Sequence, residues 1–208
     1  MKHGLVAMVI AITLPGCVEH VALNPWLQPA AQVDEKLPLH AAVVCSPKLL
    51  GLQEQAQAGN ESPVTYQVPI GETLCDTLGR SVAVYYQAVT RQRSQPARGD
   101  FDRVLVFDVK DSDLEVVVHD GGFGRRSNQA TYRVSVSIDA FDGRMRRVNR
   151  TVVTGYGTRS RGGATGKQVV REAMQTAVQQ ILDHTSNLLI AGLAEPGGEP
   201  SLPASPER

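Results

Sequence analysis

The fold class is decided by the stretch YRVSVSIDAFDGRMRRVNRTVVTGY, residues 132–156 of this 208-residue chain. From Tyr132 to Ala140, apolar residues alternate with polar ones, which is typical of a strand with one buried and one solvated face. Asp142-Gly143 then supplies the positive φ angles of a two-residue turn, and residues 144–156 return as the partner strand. The stretch therefore predicts an antiparallel hairpin.

The return strand of this hairpin is unusually basic. Between residues 121 and 171 the chain has eleven basic residues and two acidic ones. A bulge would let the arginines of the strand reach solvent and would turn Val148, Val152 and Tyr156 toward the core. These arginines form either a surface for an anionic partner or a solvated strand face that discourages aggregation, and the usual exposure of charge runs favours the second interpretation. They are Arg144, Arg146, Arg147 and Arg150.

Strand and helix patterns surround the hairpin. Apolar runs at 39–44 and 104–109 predict two strands, and residues 114–118 either continue the second strand or fold back on it. Helical periods run from Gly71 to Val89 and from about Gly166 to Leu189. This order predicts an α+β fold, a two-layer sandwich with a mainly antiparallel sheet and two helices packed on one face.

Composition divides the chain into parts. Residues 37–192 have the length and apolar content of a single α+β domain with its own core. Residues 193–208, rich in Pro, Gly and Glu, predict a disordered tail, and the Pro-containing residues 17–36 predict an extended tether. The chain has 21 basic and 21 acidic residues, and this zero net charge argues against a dedicated nucleic-acid binder.

Residues 1–16 are typical of a secretory signal peptide. An apolar run of ten residues, Leu5–Leu14, would rise only about 15 Å as a helix, which is too short to cross a bilayer. The end of the segment resembles the lipobox of bacterial lipoprotein precursors, with Leu14, Gly16 and Cys17 at the matching positions. Pro15 departs from that pattern, and a secreted protein with a chance cysteine is the alternative.

The resemblance implies that Cys17 carries acyl chains such as palmitate, which would hold the mature protein stably to a membrane. Val18 stands where lipoproteins retained in the inner membrane commonly carry Asp. The implied location is therefore the outer membrane, with the domain facing the periplasm. In that oxidising compartment the remaining cysteines, Cys45 and Cys75, form either a disulfide or two buried free thiols.

The domain as a whole resembles small periplasmic lipoproteins of the YajG type and the amino-terminal domain of TolB. The resemblance covers residues 41–189. Its pieces are the strand Ala41–Val44, the strand start Phe101–Leu105, the turn Ala140–Arg144 and an Ala-rich last helix. It is a resemblance of pattern, and folds of this kind host several tasks.

No motif of catalysis or cofactor binding is found. Gly166-Lys167 is followed by Gln168, so the phosphate-loop pattern fails, and the five histidines lack the spacing of a metal site. There is no Gly-x-Ser-x-Gly elbow. We therefore expect no enzyme activity, no catalytic residue, no metal and no cofactor, with a hydrolase of unrecognised site as a minor alternative.

Two functions remain. The first is a lipid-anchored, non-enzymatic interaction or assembly module of a cell-envelope complex, with an envelope protein or further copies of itself as partner. The second is a binding or export accessory protein for an anionic envelope polysaccharide or lipid. A stoichiometric protein partner would favour the first function, and salt-sensitive binding to polysaccharide would favour the second.

Overall fold

Strands in two sheets, together with three helices, make up the described part of the chain. The structure is a computed structural model that describes residues 17–23, 33, 35–59, 63–121 and 125–189. In chain order the elements are β1 (Cys17–His20), β2 (Leu37–Cys45), α1 (Pro47–Leu50), β3 (Gln53–Ala58), β4 (Val64–Pro69), α2 (Gly71–Tyr85), β5 (Tyr86–Gln92), β6 (Arg103–Gly121), β7 (Arg125–Asp142), β8 (Arg147–Gly162) and α3 (Gly166–Leu188).

The main sheet has the strand order β5-β2-β6-β7-β8. Strands β6, β7 and β8 are antiparallel neighbours, as the hairpin pattern predicts. Strand β2 runs parallel to both β5 and β6, because the chain crosses over through α2 before it returns to the sheet. The α+β two-layer sandwich is thus confirmed, with a sheet that is mixed on the β2 side.

Helices α2 and α3 cover one face of the main sheet and meet at the hydroxyl groups of Ser81 and Ser186, which are 3.2 Å apart. Helix α3 lies on β8 at two glycines. A Cβ on Gly155 would be 2.0 Å from the carbonyl oxygen of Ala177, and a Cβ on Gly157 would be 1.9 Å from that of Ala173. The close approach of the helix therefore requires glycine at both positions.

This packing fixes which face of β8 is buried, and it corrects the sequence-based prediction. Val153 shares the face of Gly155 and Gly157 and is buried against α3. Because side chains alternate along a strand, Val152 and Tyr156 point the other way and are exposed, as is Val148 at the register shift near the start of β8. The prediction that these three residues reach the core is wrong. Helix α3 packs against the opposite face of β8, the one with Gly155 and Gly157, and the core therefore lies on that face.

A second, three-stranded sheet has the order β1-β4-β3 and was not predicted. Its β3 has the sequence QEQAQA, which lacks the β-branched and aromatic residues that mark strands. Alternate residues of β3 are nevertheless buried. Among them Glu54 accepts a hydrogen bond from the Tyr132 hydroxyl of β7 at 3.2 Å, which links the two sheets.

Two element boundaries also differ from the prediction. Residues Tyr86–Val89 continue the apolar stripe of α2, but they form the start of β5, because the backbone becomes extended at Tyr86 (ψ 145°). Residues 114–118 continue β6 rather than folding back, and the strand passes a register shift between Val109 and Asp111. The last helix follows the predicted range closely.

Cys45 and Cys75 are bridged by a disulfide, with a Cα–Cα distance of 6.1 Å. The bridge joins the end of β2 to the amino-terminal part of α2, and both residues are buried in the core. Helix α2 is thereby fixed to the central region of the sheet at the end of the domain where α1 also packs.

The segment 17–36 was predicted as an anchor and tether, and its described amino-terminal part packs on the domain. Cys17–His20 pairs with β4, the Val21 amide donates to the Gln67 carbonyl at 2.9 Å, and Val21 and Leu23 lie in the core. This part is not a free tether, because β1 pairs with the edge of β4 and the side chains of Val21 and Leu23 are buried in the core. The predicted signal peptide 1–16 and tail 193–208 lie outside the described residues.

Candidate functional site

The face of the main sheet opposite the helices, termed the outer face, carries a line of apolar side chains on β8. Val152 and Tyr156 lie four residues apart in the regularly paired part of β8 and so point to the same side of the strand, and Val148 precedes them at the register shift between Arg147 and Asn149. We call them the apolar row: Val148 is 50% exposed, Val152 53% and Tyr156 49%. Three large apolar side chains that are half exposed on one strand make this part of the outer face the candidate site.

The rest of the outer face is partly covered. Ala42, Val44 and Val104 are buried there together with partly buried side chains that include Phe101, before β6, and Met145, in the turn after β7. The two segments are joined by a hydrogen bond from the Gly99 amide to the Gly143 carbonyl at 2.8 Å. The β7–β8 side of the outer face thus remains open while the β2 side is closed.

The turn between β7 and β8 is wider than the two-residue turn predicted. It comprises residues 143–146, and Met145 rather than Gly143 has a positive φ, of 60°. The Asp142 carboxylate accepts from the amides of Arg144 and Arg146 at 3.0 and 2.9 Å and so supports the wider loop. Gly143 is needed for another reason, because a Cβ there would lie 2.9 Å from the Phe101 carbonyl oxygen.

Asp142 is the electrostatic centre of this turn. The Arg146 amide, followed by the Arg146 guanidinium and the Arg144 amide, holds the pKa of the Asp142 carboxyl below its ordinary value despite some desolvation. The guanidinium Nε of Arg146 lies 2.8 Å from the carboxylate. One of the four predicted arginines is thus engaged in shaping the turn.

Two more of the arginines share a single carboxylate. Arg147 and Arg150 approach Asp139 on the outer face at 3.6 and 3.5 Å. Among the described residues, Arg144 has no acidic partner for its side chain. All four predicted arginines are exposed and lie around one turn, and their two aspartate partners leave the group with a net charge of +2. We call this group the arginine turn.

The predicted lipidation site lies at the other end of the domain. Cys17 is exposed and pairs with Val64, two residues before Tyr66, whose hydroxyl lies against Gly166 at the start of α3. The Asn128 side chain of β7 reaches the same region, because its Nδ2 donates a hydrogen bond to the Ala164 carbonyl oxygen, just before α3, at 2.8 Å. From Asn128 to Asp142, β7 extends about 45 Å at the rise of a strand, so the arginine turn is far from Cys17.

Other polar groups offer no competing site in the part of the chain described. No cluster of His, Cys, Asp or Glu there has the arrangement of a metal site. Two open depressions of about 410 Å³ lie on the solvent side of α3 and are lined only by polar and charged side chains, such as Glu172 and Gln175. None of the described helices is both long and apolar enough to cross a membrane.

Two buried polar contacts support the fold rather than a site. Burial raises the pKa of the Tyr132 hydroxyl, and the nearby Glu54 carboxylate raises it further. Arg103 is only 3% exposed. Burial raises the pKa of Tyr86, while the Arg103 guanidinium beside it offsets part of that rise. Sequence reasoning did not single out either pair, because a lone Arg or Glu in a strand is usually exposed.

Comparison with known proteins places the fold among bacterial structures. No family model matches the chain, and no curated protein matches it. A Xanthomonas campestris protein of the DUF330 family is 15% identical with a TM-score of 0.52, the match covering 85% of this chain and 97% of that one. A neuraminyllactose-binding hemagglutinin homolog from Helicobacter pylori is 12% identical with a TM-score of 0.51, covering 81% and 92%.

A third structure, a minor lipoprotein from Acinetobacter baumannii, is 9% identical with a TM-score of 0.39, covering 72% of this chain and 92% of that one. That TM-score is too low to support an argument. At 15% and 12% identity the first two likenesses concern the fold alone, and the YajG-type resemblance remains a prediction. The chain therefore shares an α+β fold with these two bacterial proteins.

Proposed function

We propose that this protein is a non-enzymatic, lipid-anchored component of the cell envelope that presents a contact surface to a protein partner in an envelope complex. The observation that carries the proposal is the apolar row on an open sheet face beside the arginine turn. Protein interfaces combine apolar groups at their centre with Arg-rich surroundings. The surface has that composition.

The positions of the two ends support this function. Acyl chains on Cys17, as the lipobox resemblance implies, would attach the end of the domain where α3 begins. The arginine turn would then stand about 45 Å along the strands from the anchored end. We infer that it serves a partner located away from the anchoring outer membrane rather than the headgroups of that membrane.

The test is cross-linking in cells of the producing organism, followed by purification of the tagged, acylated protein. We expect one envelope protein to be recovered with the wild type in a fixed molar ratio. The double variant Val152→Ser/Tyr156→Ser should recover about 90% less of this partner. Truncating a side chain at the centre of an interface weakens the binding free energy by about 1 kcal/mol or more. Val117→Ser is the matched control, since Val117 is also an exposed strand valine, at 36% exposure, but lies on β6.

Two results would contradict the proposal. One is the absence of any protein in fixed proportion to the wild type. The other is an equal recovery of the same protein by the double variant and by the Val117→Ser control. A thermal melt of each variant shows whether the comparison involves folded proteins.

The second candidate, an accessory protein for an anionic polysaccharide or lipid, rests on a specific observation. The side chain of Arg144 has no acidic partner among the described residues, and the arginine turn keeps a net charge of +2. The name of the Helicobacter pylori neighbour also refers to an anionic sugar. Binding of the purified protein to anionic polysaccharide, weakened by salt and by Arg144→Gln, would favour this candidate.

A further inference from the structure

The outer edge of β8 is open. Strand β8 is the last strand of the main sheet, so its outer row of backbone groups has no neighbouring strand among the residues that the structure describes. Rows of unpaired amides and carbonyls of this kind are the template to which an extended chain adds as a further strand. The edge therefore offers backbone hydrogen bonds in addition to the side chains of the apolar row.

One hydrogen bond shows which residues of β8 direct their backbone outward. The Tyr156 amide donates to the Gln180 side chain of α3 at 2.9 Å, on the side away from β7. Because backbone groups alternate along an antiparallel strand, the amides of Thr154, Val152 and Arg150 also point outward. The helix thus occupies the edge at Tyr156, and the stretch before it is open.

The side chains of β8 indicate the charge of the molecule that fits this edge. The strand contains arginines and no acidic residue. Two copies paired edge to edge through β8 would place two positively charged strands side by side with no acidic residue on either, which is unfavourable. The opposite edge, β5, differs because its one arginine, Arg91, is paired with two carboxylates, those of Glu72 and Asp76 of α2, whereas Arg147 and Arg150 of β8 share the single carboxylate of Asp139. The charges therefore favour an acidic segment as the added strand, and they favour the β8 edge over the β5 edge.

We propose that Arg150–Thr154 of β8 receives an extended, acidic segment of the partner protein, which pairs as a sixth strand of the main sheet. This inference rests on the proposed function and names the chemistry of its partner. Arg150 and Val152 share the outer face. The segment then carries an acidic residue opposite Arg150 and, two residues away along its chain, an apolar residue opposite Val152.

The experiment is a selection from a random peptide library on the acylated protein in detergent micelles. Enriched peptides should carry Asp or Glu two residues from an apolar residue, and their binding should weaken in high salt. Val152→Pro removes one outward amide and should weaken binding about tenfold. The matched control Val152→Thr keeps the amide and a β-branched side chain, and should bind within about threefold of wild type.

Hydrogen–deuterium exchange on the wild type keeps the test decisive should the Pro variant fail to fold. A bound peptide should protect the outward amides of Arg150, Val152 and Thr154 and leave β5 unchanged. The inference is overturned by a lack of acidic enrichment, by protection elsewhere, or by a dimer paired through β8 in ultracentrifugation. Recovery of a cross-linked envelope partner without protection of β8 would leave the proposed function intact and remove this inference alone.

Discussion

Asp142 shows at the scale of a single residue how the arginine turn is built. Its carboxylate accepts from two backbone amides and one guanidinium, which is a stronger arrangement than the surface ion pairs of Arg147 and Arg150 at 3.5 to 3.6 Å. The conformation of the turn is therefore set by an aspartate and its amide donors. The sequence signal Asp142-Gly143 predicted a turn correctly and its length incorrectly.

This arrangement predicts a pH dependence. The folded pKa of Asp142 lies below its ordinary value of 3.8, so its contribution to stability is present above the unfolded pKa and is lost as pH falls through the folded pKa. An NMR titration of the carboxyl group should give a midpoint below 3.8. In Arg146→Gln the midpoint should rise but remain depressed, because the amide of residue 146 still donates. A wild-type midpoint at or above 3.8 would contradict this account.

At the scale of elements, the contact between α3 and β8 decides which face of the hairpin is buried. Gly157 is the point of closest approach, where a Cβ would lie 1.9 Å from the Ala173 carbonyl oxygen. We expect Gly157→Ala to destabilise the fold by about 3 kcal/mol, since the helix must shift. A thermal melt should show a fall of about 10 °C.

The control for this substitution lies on the same strand. Gly162 has no atom within 4 Å of an added Cβ, so Gly162→Ala should leave the melting temperature within about 2 °C of wild type. Equal effects of the two substitutions would show that the helix contact does not need glycine.

The disulfide is a second contact between elements. It joins residues 30 apart in sequence, and closing a loop of that length stabilises a fold by about 3 to 4 kcal/mol in the chain-entropy account. Cys45→Ala/Cys75→Ala should therefore melt well below the wild type. Wild-type protein unfolded in reductant is the control, and a double variant as stable as oxidised wild type would contradict the expectation.

The elements also show which parts of the fold could be predicted from sequence patterns. Alternation in Tyr132–Ala140 and the periodicity of α3 predicted their structures because each has one polar and one apolar face. In β8 valines occur on both faces, so the pattern could not choose between them. The glycines at 155 and 157 carried that information, since glycine in a strand often marks a close backbone approach. Strand β3 was missed because alanine and glutamate fill its buried positions.

At the scale of the whole molecule, the predicted anchor and the arginine turn occupy opposite ends. The four arginines could be named from sequence, whereas their distance from Cys17 required the pairing of β1 with β4, which no local pattern indicated. Likewise, the apolar row of the candidate site was assigned to the core until the position of α3 was known. Properties that depend on how remote segments pack were therefore the ones that sequence reasoning missed.

The anchor itself gives a prediction for the whole protein. We expect Cys17→Ser to leave the chain as an unprocessed precursor that retains residues 1–16, because the lipobox resemblance makes the acylated cysteine the condition for cleavage. Intact mass spectrometry of wild type and variant measures this, with the wild type carrying acyl chains on Cys17. An unmodified wild-type amino terminus downstream of Cys17 would contradict the expectation.

The position of β2 has a consequence for how the protein matures. Both neighbours of β2 follow it in the chain, with Ala41 pairing with Val89 and with Arg103. Long loops must close before this strand gains its first partner, whereas β6, β7 and β8 can form by local hairpins. The proposed export would deliver the amino terminus first, so that the apolar run AAVVC of β2 would emerge long before residues 86–107. We therefore expect the nascent protein to depend on a periplasmic chaperone during that interval.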